Sequence, residues 1–377
     1  MTVGGSPAPQ PPVGLLAELT HRCPLRCAYC SNPLGLTSPR DELSTGVWRR
    51  VFGEAAELGV LQVHLSGGEP ALRRDLELLV AEARAVGLYS NLITSGQGLD
   101  PARVRALAQA GLDHVQLSVQ GGRAASADEA AGRRGAHRRK ARVAGAVVAE
   151  GLPLTINWVV HRGNAGQLAE VLALARRVRA SRLEVALAQH AGWARHNYDA
   201  LLPTRAQHEA VAEQVRQARR ELGAALPIDH VPSDQYAARP KACMGGWGRL
   251  FLVVAPDGTA LPCHDARRIA GLRFTGVGER SLSWIWRESP AFVRFRGTAW
   301  MPEPCRSCDR REVDFGGCRC QAHAVTGDAA RTDPACALSP DRALLETARG
   351  RAVERSSEAV PRRLGGGVHR ALPVLRR

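Results

Sequence analysis

Between residues 15 and 222 the apolar positions alternate between short, nearly continuous runs and longer stretches spaced three and four apart. That switching of period predicts strand, then helix, then strand again. LLAELT (15–20) reads as the first strand, and Ser44 or Thr45 can cap a helix that stops near Gly59. VLQVHL is a second strand, followed by the loop SGGEP and a helix from Leu72 to Gly87. LYSNLI is a third strand. Asp100-Pro101 opens the next helix with an N-cap and a proline in its first turn, and Gly111 closes it. HVQLSV, a polar loop and a helix from about Ala136 to Glu150 come next. LPLTINWVV, a helix from about Asn164 to Val178, and RLEVALA complete the series. Six such units with mostly apolar strands predict an α/β fold, a parallel sheet wound as a partial (β/α)6 barrel over residues 13–225. Barrels of parallel strands carry their chemistry at the strands' C-terminal ends, so the loops after the first and second strands are the place to look.

The two ends break the pattern. Residues 1–12 are rich in Pro and Gly, and 346–377 lack a steady period and carry a Gly triplet, so both are expected to be disordered. No apolar segment follows the N-terminus as in a secretory signal, and no run reaches membrane-spanning length. A cytoplasmic protein with no membrane partner is expected. The formal charge of +15 would suit nucleic acid, but aromatic residues make up only 5 % of the chain, too few for base-stacking platforms. Arginine on solvated helix faces accounts for the charge without nucleic acid, and a basic surface equally attracts an acidic partner.

HRCPLRCAYCSNPLG places Cys23, Cys27 and Cys30 in a C-x3-C-x2-C spacing directly after the first strand. Reducing conditions argue against a disulfide knot. Structural zinc wants four ligands, usually as two close pairs, and only His21, expected on the surface, stands near as a fourth. Three thiolates on one loop suit an iron–sulfur cubane with one open iron. A second cysteine group follows the barrel: Cys243, Cys263, Cys305, Cys308, Cys318, Cys320 and Cys336. Taken alone, its C-x2-C pair also fits a zinc ribbon, and with the basic charge a zinc-binding nucleic-acid module is the alternative from another class.

The triad with Tyr29 before its last cysteine, the Gly67-Gly68-Glu69-Pro70 run and the strand–helix repeat together resemble the radical S-adenosylmethionine superfamily. ELTHRCPLRCAYCSNPL, GLPLTINWVVHRGN, AGWARHNYDALLPTRAQ and KACMGGWGR further resemble the PqqE family of pyrroloquinoline quinone biosynthesis, over residues 12 to 340. That resemblance implies an oxidoreductase that crosslinks a Glu side chain to a Tyr ring in the precursor peptide PqqA. It also implies the peptide carrier PqqD and an electron donor such as flavodoxin as partners. Another peptide maturase of the same architecture, thioether-forming or sulfatase-maturing, is the alternative among enzymes.

By the same resemblance, Cys23, Cys27 and Cys30 hold a [4Fe-4S] cluster whose open iron chelates exchangeable S-adenosylmethionine, the source of a 5′-deoxyadenosyl radical. Gly67, Gly68 and Glu69 meet the methionine amino group and Tyr29 the adenine. Gln116 and Ser118 share one strand face and are expected to point together toward ribose and methionine, with Asn157 alternating likewise on the fifth strand. The region 226–345 resembles a SPASM domain with two auxiliary clusters. Cys243, Cys263, Cys318 and Cys320 would hold the first, and Cys305, Cys308 and Cys336 the second. SPASM chains commonly run C-x2-C-x5-C-x3-C, and Asp314 stands at the third position, which makes it the expected eighth ligand. Two departures stand out. His190-Ala191 replace a Tyr pair, and Asp128-Glu129, with Arg133 and Arg134 beyond, fill a loop where relatives carry an Arg. The partner of the methionine carboxylate is thereby left unassigned, and neither His161 nor His190 is assigned as a base.

Overall fold

The computed structural model describes residues 9–354 and 358–363. In chain order it runs β1 (Gly14–Thr20), α1 (Thr45–Leu58), β2 (Gln62–Gly67), α2 (Leu76–Ala85), β3 (Tyr89–Thr94), α3 (Pro101–Ala110), β4 (His114–Val119), α4 (Ala124–Ala131), α5 (Ala136–Ala149), β5 (Leu154–Val160), α6 (Leu168–Arg177) and β6 (Arg182–Leu187). There follow α7 (Gly192–His196), α8 (Tyr198–Leu201), α9 (Arg205–Leu222), β7 (Ile228–Val231), β8 (Phe251–Val254), β9 (Ala260–Leu261), α10 (Leu282–Glu288), α11 (Pro290–Val293), α12 (Arg311–Asp314), α13 (Arg319–Thr326) and α14 (Arg342–Glu354). One sheet takes the order β7-β6-β5-β4-β3-β2-β1-β8-β9, parallel throughout except between β8 and β9. The six expected strands are therefore adjacent and in sequence. Strands from the cysteine-rich region extend the sheet at both edges, so the expected division at residue 225 is not a break in the hydrogen bonding.

Each strand separates two chemistries by its two-residue period. One face carries Leu15, Ala17, Leu19, Val63, Leu65, Leu92, Val115 and Leu117, which pack with Trp48, Val51 and Phe52 of α1 and with the other helices in the main core. The opposite face carries Glu18, His64, Asn91, Gln116, Ser118, Asn157 and Glu184. Their registers join Asn91 to His114, Ser118 to Asn157 and Asn157 to Glu184. That polar face is where a ligand can be received.

Local signals account for most helix ends. The Ser44 hydroxyl accepts from Val47 N and Gly59 closes α1 in the left-handed region. Asp100, Pro101 and Gly111 bound α3 as their order predicts. Four expectations shift. The helix expected from Leu72 begins at Leu76, because Glu69 caps a single turn at Pro70–Leu72 and Arg73 then leaves the helical path to bond the carbonyls of Leu19 and Leu43. The helix expected from Asn164 begins at Leu168, because Asn164 closes a turn on His161 N and Val159 O. The polar loop after β4 contains α4, an alanine-rich segment of strong helix formers.

The largest shift is at the C-terminus, expected to be disordered from residue 346. α14 runs to Glu354 and buries Ala348 and Ala352 against Tyr198 and Leu202, and Leu345 against Val325 and Ala335. Beyond it Val360 and Arg362 bond back onto the barrel. Residues 1–8, 355–357 and 364–377, also expected to be disordered, lie outside the described residues. Among the described residues no helix is long and apolar enough to cross a membrane.

Candidate active site

The loop after β1 delivers Cys23, Cys27 and Cys30 to the wall of a cavity of about 350 Å³, whose other wall holds Gly67, Gly68, Thr94, Ser95 and Ser118. Burial pushes the Cys23 thiol up to about 11 and the Cys27 thiol to about 12, and raises Cys30 as well. Buried thiols become thiolates when a cation takes the proton's place, which is what binding iron accomplishes. His21 is buried rather than on the surface. Its Nδ1 accepts from Thr37 N at 2.9 Å, so it braces the loop and is not a fourth ligand.

The two glycines fit because nothing larger would. At Gly67, with φ +117°, a Cβ would stand 2.3 Å from Thr20 O. At Gly68 it would stand 2.3 Å from Arg22 O. The loop's amides are pinned in turn, Gly68 N to Thr20 O at 2.6 Å and Glu69 N to Arg22 O at 2.7 Å. Glu69 is fully buried and turns away from the cavity. Its carboxylate accepts from Ala71 N at 3.1 Å, Thr94 Oγ1 at 2.6 Å and Ser95 N at 2.8 Å, and from the Ser95 hydroxyl. Glu69 thus ties the glycine loop to the end of β3 and is not among the residues that line the cavity.

Ser118 lines the cavity, but Gln116 and Asn157 do not. Gln116 lies one layer deeper, its Oε1 3.5 Å from Asn91 Nδ2 and its Nε2 3.3 Å from Glu184 Oε2. Asn157 hydrogen-bonds Glu184 as well, holding down the pKa of a carboxyl that burial raises. Both belong to a satisfied polar layer under the floor. Tyr29 is on the wall with its ring 5.5 Å from that of His161. Asp128 caps α5, accepting from His137 N at 2.8 Å, while Glu129, Arg133 and Arg134 are exposed. None of these four enters the cavity.

Lys140 escaped the sequence reading. It is 2 % exposed, and its ammonium donates to Ser95 O at 2.7 Å and Ser118 O at 2.8 Å, holding the ends of β3 and β4 together. Burial pulls its pKa down to about 8. A signal existed: of 51 basic residues only Lys140 and Lys241 are lysines. Lys241 lines the neighbouring cavity.

That second cavity, about 380 Å³, is lined by Cys243, Cys263, Cys318 and Cys320, with His190 and Lys241. The four sulfurs neighbour one another, Cys243 next to Cys263 and Cys318, and Cys320 next to the same two. Cys318 caps α13, its sulfur accepting from Gln321 N at 3.4 Å, so the helix dipole favours its thiolate. Gln189 and His264 line both cavities, which makes them adjoining rooms. A third, narrow cavity brings together Cys305, Cys308, Cys336 and Asp314. Asp314 is buried, with Oδ1 accepting from Gly316 N at 3.0 Å and Oδ2 3.8 Å from Arg310 Nε. Asp333, which sequence reasoning missed, bonds Cys318 N at 2.6 Å and carries Cys336 N on its carbonyl, so it couples the two cysteine sets.

The donor sets fit iron–sulfur clusters: soft thiols, buried or half-buried, in a three and a four, and a three completed by one carboxylate. Among the described residues no three His, Cys, Asp or Glu side chains close on the coordination sphere of a single ion. A cubane gives each thiolate its own iron, so its ligands stand further apart than those of zinc.

Residues 17–175 match the family described as the Radical SAM superfamily, and residues 243–309 match SPASM, an iron-sulfur cluster-binding domain. Fold and site therefore define a radical S-adenosylmethionine enzyme with a SPASM domain, using that cofactor and iron–sulfur clusters. The PqqA peptide cyclase of Rhizobium meliloti (strain 1021) is 56 % identical over 338 residues, 89 % of this chain and 90 % of that protein. That of Methylocella silvestris is 58 % identical over 330 residues, 88 % of each. The chain belongs to the PqqA peptide cyclase family. Among solved structures, Streptococcus suis SuiB bound to S-adenosylmethionine shares the fold, with a TM-score of 0.71 at 20 % identity, covering 87 % of this chain and 77 % of that one.

Proposed function

We propose that this chain joins a Glu and a Tyr side chain of the PqqA precursor peptide through a carbon–carbon bond, in pyrroloquinoline quinone biosynthesis. The observation that carries the reading is the pair of adjoining cavities, one walled by Cys23, Cys27 and Cys30, the other by four further cysteines, with Gln189 and His264 common to both. Joining two C–H groups removes two hydrogens. When bound, the first cluster and S-adenosylmethionine supply the 5′-deoxyadenosyl group that takes one of them as a hydrogen atom. The other leaves as a proton and an electron, and Cys243, Cys263, Cys318 and Cys320, which line the adjoining cavity, would hold an acceptor for that electron. Gly67, Gly68, Ser118 and Tyr29 hold S-adenosylmethionine, while Glu69 and Lys140 fix the backbone that presents it. Region 13–225 makes the radical and region 226–345 holds the auxiliary iron, on one continuous sheet.

PqqD presents the peptide and a flavodoxin-type donor supplies the electron; the basic charge of the chain favours acidic partners of this kind. The test is mass spectrometry of the precursor peptide after anaerobic turnover. The product is expected to be two hydrogens lighter and linked between one Glu and one Tyr. An unchanged peptide beside abundant 5′-deoxyadenosine would end this reading.

Asp314 is proposed as the eighth auxiliary ligand, since it shares its cavity with Cys305, Cys308 and Cys336. A carboxylate is a harder and weaker donor than a thiolate, so the second cluster's potential should depend on it. Asp314→Cys is expected to keep the cluster with a shifted potential and less product, and Asp314→Ala to weaken or convert it. Identical cluster spectra in wild type and both variants would remove Asp314 from the ligand set.

A further inference from the structure

The mechanism above leaves unused the one guanidinium among the described residues that lines the triad cavity. Arg362 is 3 % exposed and lies 339 positions from Cys23 in sequence, yet it lines the same cavity as the cysteine triad. Its Nη2 donates to Leu25 O at 3.1 Å and Cys23 O at 3.4 Å, so one corner of the guanidinium is fixed on the cluster loop. Nε and Nη1 are also buried but have no partner among the described residues. No carboxylate among those residues lies within ion-pair distance of it. Arginine stays charged at any working pH, and a desolvated guanidinium with two idle donors is costly unless an anion meets it.

The position of Arg362 is enforced, not incidental. Asn197 bonds Val360 at both ends, donating to its carbonyl at 2.8 Å and accepting from its amide at 2.9 Å. The same Asn197 amide donates to Ala28 O inside the cysteine loop at 2.9 Å. Trp193 Nε1 adds a bond to Val360 O at 2.8 Å. Arg362 N then donates to Arg26 O at 2.9 Å, and Arg26 Nε returns one to Arg362 O at 3.1 Å. A short C-terminal strap is thereby stitched to the cluster loop, with the guanidinium as the one group it sends inward.

We propose that Arg362 binds the carboxylate of S-adenosylmethionine. This rests on the reading that the triad cavity receives that cofactor, and it fills the place left open by the loop after β4, whose Asp128 caps a helix and whose Arg133 and Arg134 face solvent. A carboxylate accepts charge-assisted hydrogen bonds from a guanidinium, and the N–H groups of Nη1 and of Nε, on different edges of it, are the donors left free. The guanidinium comes from a segment that follows α14, well beyond the strand–helix repeat that supplies most of the cavity's wall.

The test is equilibrium binding to anaerobically reconstituted protein, with S-adenosylmethionine and with its decarboxylated analogue as probes. Arg362→Gln is expected to weaken S-adenosylmethionine about 10- to 100-fold while leaving the analogue's affinity unchanged, so that the preference between them collapses. Arg362→Lys should recover part of the preference, and Arg363→Gln, at an exposed neighbour, none of the loss. Iron content measured on each variant keeps loss of the cluster separate from loss of the ligand. Equal weakening of both probes, or of neither, with iron intact would overturn the proposal. Undiminished S-adenosylmethionine binding by Cys27→Ala would instead overturn the placement of the cofactor in this cavity.

Discussion

Replacing any one of Cys23, Cys27 or Cys30 with alanine is expected to bring 5′-deoxyadenosine formation to background, while most of the auxiliary iron remains. The three thiols share one wall and no other thiol lies in that cavity, so an iron deprived of its ligand finds no substitute. His21, the nearest imidazole in sequence, is committed to Thr37 N. The auxiliary sites should survive because their cysteines come from residues 243–336 and line separate cavities. The measurement is 5′-deoxyadenosine by chromatography beside iron per chain. Cleavage persisting at the wild-type rate in any of the three variants would remove that residue from the radical-generating cluster.

Removing Cys305 and Cys308 together is expected to do the opposite: crosslinked peptide falls to background, while uncoupled 5′-deoxyadenosine continues. The cavity holding these cysteines shares no lining residue with the triad cavity, so the two losses separate. Both sulfurs are served by local donors and acceptors, Cys305 near the Thr332 hydroxyl at 3.4 Å and Cys308 accepting from Arg310 N at 3.4 Å. Hydrogen bonds of this kind tune cluster potentials, and losing the cluster they serve should interrupt removal of the second electron. Circular dichroism would show whether the fold persists. Crosslinked peptide at the normal rate, with the second cluster absent, would exclude it from the electron path.

Much of this protein is written in short stretches of chain. The cysteine triad spans eight residues, so spacing alone fixes that its thiols meet, whereas the close approach of Gly67 and Gly68 to the backbone of Thr20 and Arg22 belongs to the fold. Helix caps at Ser44, Asp100, Gly59 and Gly111 depend on one or two neighbours and were legible for that reason. Family resemblance carried the sequence further, to the cofactors and the reaction.

Depth inside the barrel was not legible. Gln116 and Ser118 share a face, but two residues along a strand are about 7 Å, enough to place one on the cavity wall and the other in the polar layer beneath. Asn157 sits in register with Ser118, yet Glu184 on the next strand claims it. Lys140 reaches the strand ends only because α5 crosses behind them, and Glu69 is turned inward by Thr94 and Ser95, at the end of β3. The C-terminal segment is the clearest case. Its local pattern is too weak to fold by itself, since its small apolar residues have no partners nearby in sequence; Tyr198 and Leu202 supply them. Sequence by itself determined the strand–helix order, the helix caps and the three-thiol loop, because each is a matter of neighbours within a few residues. Tertiary structure alone decided which polar side chains face the cavity and that Arg362 reaches the cluster loop, because those contacts are set by strand register and by packing across more than three hundred residues of chain.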